Sequence, residues 1–149
     1  MKYFFASMQR LLLPLVFAFT ATLGFAQQNA NAPRLILKGY DPVGYFTAGR
    51  PVQGSAKYQV DWDGDRYHFS SAANRDKFAA DPDRYAPQFG GYCTGSMSRN
   101  VRNEAHPEAW IISDGKLYVF GEAKFREVAL KDPQWLAMRI PKAWENWKP

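Results

Sequence analysis

The sequence has 149 residues, of which 46% are hydrophobic and 22% are charged, and its formal net charge is +5. This length suits one domain with its own core, and the single cysteine excludes an internal disulfide. The basic residues are scattered along the chain and form no patch, which argues against a nucleic-acid partner.

Residues 1–26 are typical of a secretory signal peptide. Lys2 and Arg10 supply a positive start, an apolar run follows, and Gly24 and Ala26 are small residues at the −3 and −1 positions of a cleavage site. The apolar run is shorter than the roughly 20 residues that span a bilayer. We expect cleavage after Ala26, a periplasmic or secreted location, and no membrane span in the mature chain. Cleavage leaves 17 basic and 14 acidic residues, a net charge of +3.

The mature chain opens with a polar stretch, so residues 27–38 are predicted to be a flexible lead and residues 39–149 a single domain. Asp41 is expected to cap the turn before Pro42. The run Val43–Phe46 predicts a short strand.

Two β-hairpins are predicted from alternating apolar residues on either side of an Asp-Gly pair. The first surrounds Asp63-Gly64, with Tyr58, Val60 and Trp62 at period two, and the second surrounds Asp114-Gly115.

Helices are predicted in four places, and their ends are marked by capping residues and prolines. Together with the hairpins they indicate an α+β fold, a small antiparallel sheet of two hairpins with helices packed on it. No internal repeat is apparent at periods of roughly 20 to 50 residues. The helices are expected from Ser70 or Ser71 to Asp81-Pro82, after Gly90-Gly91 and carrying Cys93, from Glu122 to Lys131, and from Asp132-Pro133 with a break or kink at Pro141.

Four stretches resemble the YHS domain family: "DPVGYF", "YHFSSAANRDKFAADPDRY", "GGYC" and "PEAWIISDGKLY". They cover most of residues 39 to about 120 and look most like the exported YHS-domain (seleno)protein type, whose relatives can carry selenocysteine at the cysteine of "GGYC". The resemblance implies a YHS-like fold for this region.

In the related metal-handling YHS and TRASH domains, three cysteines meet around one metal. This chain has Gly44, Ser70 and Asn74 at the corresponding positions. Glycine has no side chain, and a hydroxyl and an amide are poor ligands for soft metals. The resemblance therefore implies that the family's thiolate site is missing here.

Cys93 is the remaining candidate for chemistry. In an exported chain a lone thiol can be buried and inert, pair with another molecule, bind a metal, or react as a thiolate. The start of the expected helix would favour the thiolate, because free backbone amides and the helix dipole stabilise an anion there.

Three further residues are candidate metal ligands beside Cys93. Met97 would share a helix face with it, and a thiolate with a thioether suits Cu(I), although methionine at helical spacing is commonly core filler. His106 lies in a loop that could fold over the thiol. His68 faces away from the apolar side of its strand, and both histidines can equally be simple polar residues.

Three functions remain open. The first is an exported ligand-binding protein that holds a transition metal such as copper through Cys93. The second is a thiol redox protein in which Cys93 attacks a peroxide or a partner disulfide and an external small thiol restores it. The third is a structural or interaction domain with a buried thiol, and in any of the three a periplasmic protein could be the partner. The sequence shows no motif of a hydrolase or a nucleotide-binding protein.

Overall fold

The computed structural model describes residues 32–147, and the predicted signal peptide lies outside them. The described chain is an α+β fold with two small sheets and helices packed against them, as predicted. Within the described residues, no helix is long and apolar enough to cross a membrane.

The first sheet has three strands in the order β1-β3-β2, namely β1 (Arg34–Leu35), β2 (Ser55–Trp62) and β3 (Asp65–Phe69). Strands β2 and β3 form the first predicted hairpin. Asp63 and Gly64 both have positive φ, 51° and 79°, which is the requirement of the tight turn that an Asp-Gly pair favours. Strand β1 pairs in parallel with β3.

The prediction of a flexible lead is wrong for residues 34–38. Arg34 and Leu35 hydrogen-bond to the sheet as β1, and the next two residues enter the core. Ile36 is 1% exposed and Leu37 is 3% exposed. Two large aliphatic side chains directly after the polar stretch bury enough apolar surface to offset the entropy of ordering this segment.

The second sheet contains β4 (His106–Ser113) and β5 (Lys116–Phe120), joined at Asp114-Gly115 as predicted. The sequence suggested a single sheet for both hairpins, whereas the structure keeps each hairpin in its own sheet.

The predicted helices that begin near Ser71, Glu122 and Asp132 are present. Two other predictions are wrong. The run Val43–Phe46 is helical and not a strand, because Asp41 caps it and Pro42 occupies the first helical position. Pro141 does not break the last helix, which continues to Asn146. The helices are α1 (Pro42–Thr47), α2 (Ala72–Ala80), α3 (Pro82–Tyr85), α4 (Thr94–Met97), α5 (Ala123–Lys131) and α6 (Pro133–Asn146).

The described chain is an internal duplication, which corrects the expectation of no repeat. Strand β2 starts at Ser55 and β4 at His106, 51 residues later, and β3 and β5 keep the same spacing, as do α2 and α5. Both hairpins carry a register shift at the same place, between Ser55 and Gln59 and between His106 and Trp110. We call residues 36–85 the first half and residues 88–146 the second half.

The entry into each half is also the same. The segments Ile36–Gly39 and Gln88–Gly91 each contain two consecutive residues with left-handed backbone, and each is followed by a tyrosine and the N-cap of a short helix. That N-cap is Asp41 in the first half and Cys93 in the second. Asp41 N–H donates to the Val52 carbonyl at 2.9 Å, and Cys93 N–H donates to the Asn103 carbonyl at 2.8 Å. Cys93 therefore occupies the place of Asp41.

The described chain has two buried clusters. The first is built around Tyr67, Phe69 and Phe78 and also takes in Leu117 and Val119 of the second half, and the second is built around Phe89, Phe120 and Leu136. Burial of an aromatic or aliphatic side chain of this size contributes roughly 1.5–3 kcal/mol, so the two clusters account for much of the stability of the fold. The candidate site residues lie at the edges of these clusters.

Candidate functional site

Asp41 is a fully buried carboxylate whose oxygens are all engaged. Its Oδ1 accepts from the backbone N–H groups of Val43 at 2.9 Å and Gly44 at 3.3 Å. Its Oδ2 accepts from the Ser70 N–H at 2.9 Å, the Ser70 hydroxyl at 2.6 Å and the Asn74 amide at 2.7 Å. These five donors satisfy both oxygens of the buried carboxylate, so Asp41 needs no further ligand.

Gly44, Ser70 and Asn74 correspond to the metal-binding cysteines of the related domains. All three lie around the same carboxylate. Gly44, Ser70 and Asn74 all donate to Asp41, by a backbone amide, a backbone amide with a hydroxyl, and a side-chain amide. In this chain the three residues surround the Asp41 carboxylate and hold it by hydrogen bonds. This arrangement is structural, because every donor and acceptor in it is already paired.

Cys93 is 3% exposed and lies in the buried cluster of the second half. Helix α4 has only four residues and begins after Cys93, so the expectation that Cys93 lies in the first turn of a helix is corrected: it is the N-cap. Its carbonyl accepts from the N–H groups of Ser96 at 3.0 Å and Met97 at 2.9 Å. The neighbouring Thr94 hydroxyl is buried and has no hydrogen-bond partner within residues 32–147.

A cavity of about 70 Å³ adjoins Cys93. The equivalents of the Asp41 donors are missing here, since Gly121 and Phe125 stand 51 residues after Ser70 and Asn74. A Cβ on Gly121 would lie 3.8 Å from the Cys93 sulfur, so the glycine leaves room beside the thiol. The other side chains that line the cavity are Ser96, Arg99, Phe125, Trp135 and Arg139.

Arg99 and Arg139 make this cavity positive. The Arg139 guanidinium lies 4.9 Å from the centre of the Trp135 ring and donates to the Ser98 hydroxyl at 3.3 Å, which orients it beside the cavity. Neither guanidinium forms an ion pair with a carboxylate of the described chain. The charge is thus free to act on an anion in the cavity.

Met97 is fully buried in the same cluster as Cys93, and one turn of chain separates the two residues. Its carbonyl accepts from the Asn146 amide at 2.9 Å, which ties α4 to the end of α6. Met97 is not among the residues that line the cavity. Its surroundings are those of a core methionine.

The two histidines lie away from the thiol cavity. His68 is half-buried on β3 of the first half, and burial together with the positive charge of Arg66 lowers its pKa. His106 is exposed at the start of β4, and its Nδ1 accepts from the Glu108 N–H at 3.3 Å. Neither lines the cavity, and the described chain brings no three His, Cys, Asp or Glu side chains together as a metal site.

The loop before β4 does reach Cys93, through its backbone and not through His106. Asn103 supplies the carbonyl that accepts from the Cys93 N–H, and Tyr92 forms a bridge with Glu104. Of the tyrosines, Tyr45 is buried and donates to the Pro107 carbonyl at 3.0 Å, and burial raises its pKa. No tyrosine lines the thiol cavity.

Part of this fold matches a known family. Residues 43–89 match the family model described as YHS domain. This stretch of the chain is similar to a YHS domain. This confirms the resemblance inferred from the sequence, and the YHS domain is generally associated with metal handling, copper included. No curated protein and no solved structure matches the chain.

The match covers most of the first half, begins two residues after Asp41 and ends before Cys93. The matched stretch therefore supplies the donors of the Asp41 network, while the thiol cavity belongs to the second half. Sequence reasoning missed Arg99, Arg139 and Trp135, because residues so far apart along the chain form no local motif. The repeated Asp-Gly and Asp-Pro pairs, 51 residues apart, are the signal that could have aligned the halves.

Proposed function

We propose that the chain is an exported thiol protein in which Cys93 reacts with a small oxidant inside its cavity. The observation that carries the proposal is the contrast between equivalent positions: Asp41 is enclosed by its own donors, whereas Cys93 adjoins an open volume with two arginines. Export is proposed from the amino-terminal sequence.

The size of the cavity favours a peroxide over a bulky disulfide. A volume of about 70 Å³ is several times the roughly 10–15 Å³ that one water needs, so the cavity suits a small molecule of a few heavy atoms.

The arginines supply what the reaction requires. Thiolate is the nucleophilic form of cysteine, and a nearby guanidinium stabilises it. Negative charge moves from sulfur to the leaving oxygen during attack on a peroxide, and positive groups fixed beside that path stabilise the transition state. Arg139, held by Trp135 and Ser98, is the better oriented of the two.

The proposed reaction has three steps. The Cys93 thiolate attacks one oxygen of hydrogen peroxide, the S–O bond forms, the O–O bond breaks, and hydroxide leaves with the electron pair. The product is a sulfenic acid on Cys93. A first small thiol condenses with it to a mixed disulfide and water, and a second thiol displaces Cys93 and leaves as the oxidised disulfide.

Copper binding is the second candidate. It is supported by the family's association with metal handling and by the presence of Cys93 and Met97 in one buried cluster. Two guanidinium groups would repel a cuprous ion, and neither His68 nor His106 lines the cavity. Peroxide chemistry is therefore the better fit to the geometry.

The test uses the full chain expressed with its amino-terminal segment and purified from the exported fraction, where the mass reports whether 26 residues are removed. Folded protein is treated with hydrogen peroxide and a dimedone-type probe, and the adduct is located by mass spectrometry. We expect one adduct, at Cys93, that is absent in Cys93→Ser. Arg139→Gln should slow its formation several-fold, and Arg84→Gln, which removes another arginine beside an aromatic ring, should not.

An adduct that forms only after unfolding would contradict the proposal and support a structural role for a buried thiol. If the folded protein instead holds one equivalent of Cu(I) against a competing chelator, and loses it in Cys93→Ser, the copper candidate replaces the peroxide one.

A further inference from the structure

A second and larger cavity lies where the two halves meet. Its volume is about 430 Å³, at the lower end of the range of small-molecule sites, and it shares no lining residue with the cavity at Cys93. Six of its lining residues are aromatic, and they come from both halves and from the residue that follows the second half. They are Trp62, Tyr67, Phe89, Tyr92, Trp144 and Trp147.

Both arginines of this cleft are already engaged. Arg34 lies 4.2 Å from the centre of the Tyr92 ring, pairs with Asp65 at 3.3 Å and with Glu104 at 3.1 Å, and donates to the Gly90 carbonyl. Arg102 lies 5.4 Å from the centre of the Trp147 ring. The arginines thus brace the aromatic wall, and Arg34 offers little to an incoming anion.

Two carboxylates of the cleft are not engaged in this way. Asp63 and Asp83 line it, and neither side chain has an ion pair or hydrogen bond within residues 32–147. Asp63 also adds negative charge at Asp65, where burial is the main factor that raises the pKa of the carboxyl. The cleft contains three aspartates against two arginines, so its net charge is negative although the protein as a whole is basic.

We propose that this cleft binds an organic cation, such as an amine or a quaternary ammonium compound with an apolar body. Aromatic faces carry negative electrostatic potential and attract a cation that lies within about 6 Å of a ring centre. The free carboxylates at the edge supply the opposite charge without the cost of burying an unpaired ion in the wall. The proposal is independent of the chemistry at Cys93.

The probe is benzyltrimethylammonium, compared by calorimetry with neutral benzyl alcohol and with benzoate. We expect binding of the cation and at least severalfold weaker binding of the other two. Trp144→Leu changes a ring that is 48% exposed. It should weaken binding of the cation about three- to tenfold and leave the fold intact.

Asp63→Asn should weaken binding of the cation by a similar factor. Its matched control is Asp114→Asn, because both aspartates have positive φ in the Asp-Gly turn of a hairpin and only Asp63 lines the cleft. Cys93→Ser should bind the cation as wild type does. The proposal is overturned if no cation binding is detected, if benzoate binds as tightly, or if Asp114→Asn weakens binding as much as Asp63→Asn.

Discussion

Asp41 and Cys93 occupy equivalent places in the two halves, yet their surroundings are opposite. Ser70 and Asn74 donate to one oxygen of the Asp41 carboxylate, and the backbone N–H groups of α1 donate to the other. At the equivalent points around Cys93 stand Gly121 and Phe125, which offer no side-chain donor, and a cavity remains. The same backbone thus supports a closed polar network in one copy and an open thiol pocket in the other.

The difference shows that a family match and a functional site need not coincide. Residues 43–89 carry the match, and Ser70 and Asn74 within them hold the buried Asp41 carboxylate. The chemistry proposed for the chain resides in the second copy. Three substitutions test this division.

The largest effect is expected for Asp41→Asn. Whichever oxygen becomes the amide nitrogen, that nitrogen would face a backbone N–H donor, of Val43 and Gly44 at one oxygen or of Ser70 at the other. Loss of charge-assisted bonds in a buried site predicts a free energy of unfolding lower by about 3 kcal/mol, measured by urea denaturation.

The control for Asp41→Asn is Asp61→Asn, which removes an exposed carboxylate paired with Arg66 and should change stability far less. Equal losses in the two variants would show that the Asp41 network does not stabilise the first half more than a surface ion pair does.

Met97→Leu separates a core methionine from a metal ligand. Leucine has nearly the same volume, so we expect a loss of less than about 1.5 kcal/mol and an unchanged rate of sulfenic-acid formation at Cys93. Met138→Leu is the control, since that side chain is 65% exposed. A specific loss of Cu(I) binding in Met97→Leu alone would assign the thioether as a ligand. It would contradict the interpretation of Met97 as a core residue.

The smallest effect concerns His68 in the first half. Its pKa is lowered in the folded protein, so below the ordinary value of 6.5 the unfolded chain binds more protons than the folded one. The stability linked to neutral His68 is therefore present above pH 6.5 and is lost as the pH falls through the folded pKa. Thermal unfolding between pH 7.5 and 5 should show a shallower decline in His68→Gln than in wild type.

The matched variant for that comparison is His106→Gln, which removes the other histidine and leaves His68 in place. A wild-type slope in His68→Gln would mean that other groups set the pH dependence in this range.

Local signals predicted much of the fold. Both Asp-Gly hairpins, the caps at Ser71 and Asp132 and the family resemblance follow from short-range turn and capping chemistry. Such signals are readable in sequence because they involve residues only a few positions apart.

Errors arose where tertiary packing or a competing local rule decided the outcome. The apolar run at Val43 resembled a strand, but the Asp-Pro pair before it starts a helix. The stretch after Arg34 was predicted to be flexible because its neighbours are polar, yet the core takes in Ile36 and Leu37.

The thiol cavity and the cleft could not be predicted from local pattern. Arg139 reaches Cys93 only because α6 returns across α4, and Trp147 meets Tyr92 for the same reason. The duplication was hidden because the residues that differ between the halves, such as Asn74 and Phe125, are the ones that determine what each half can do.

Gly90 lies where the two ends of the described chain come together. The Arg34 side chain donates to its carbonyl from one end of the described residues, and a Cβ on it would lie 2.8 Å from the Trp147 ring at the other end. Both ends of the described chain thus converge on one glycine near the start of the second half. A body whose ends meet can be spliced into a loop of a host protein, or reopened at the exposed Asp114-Gly115 tip, with little rearrangement of its interior.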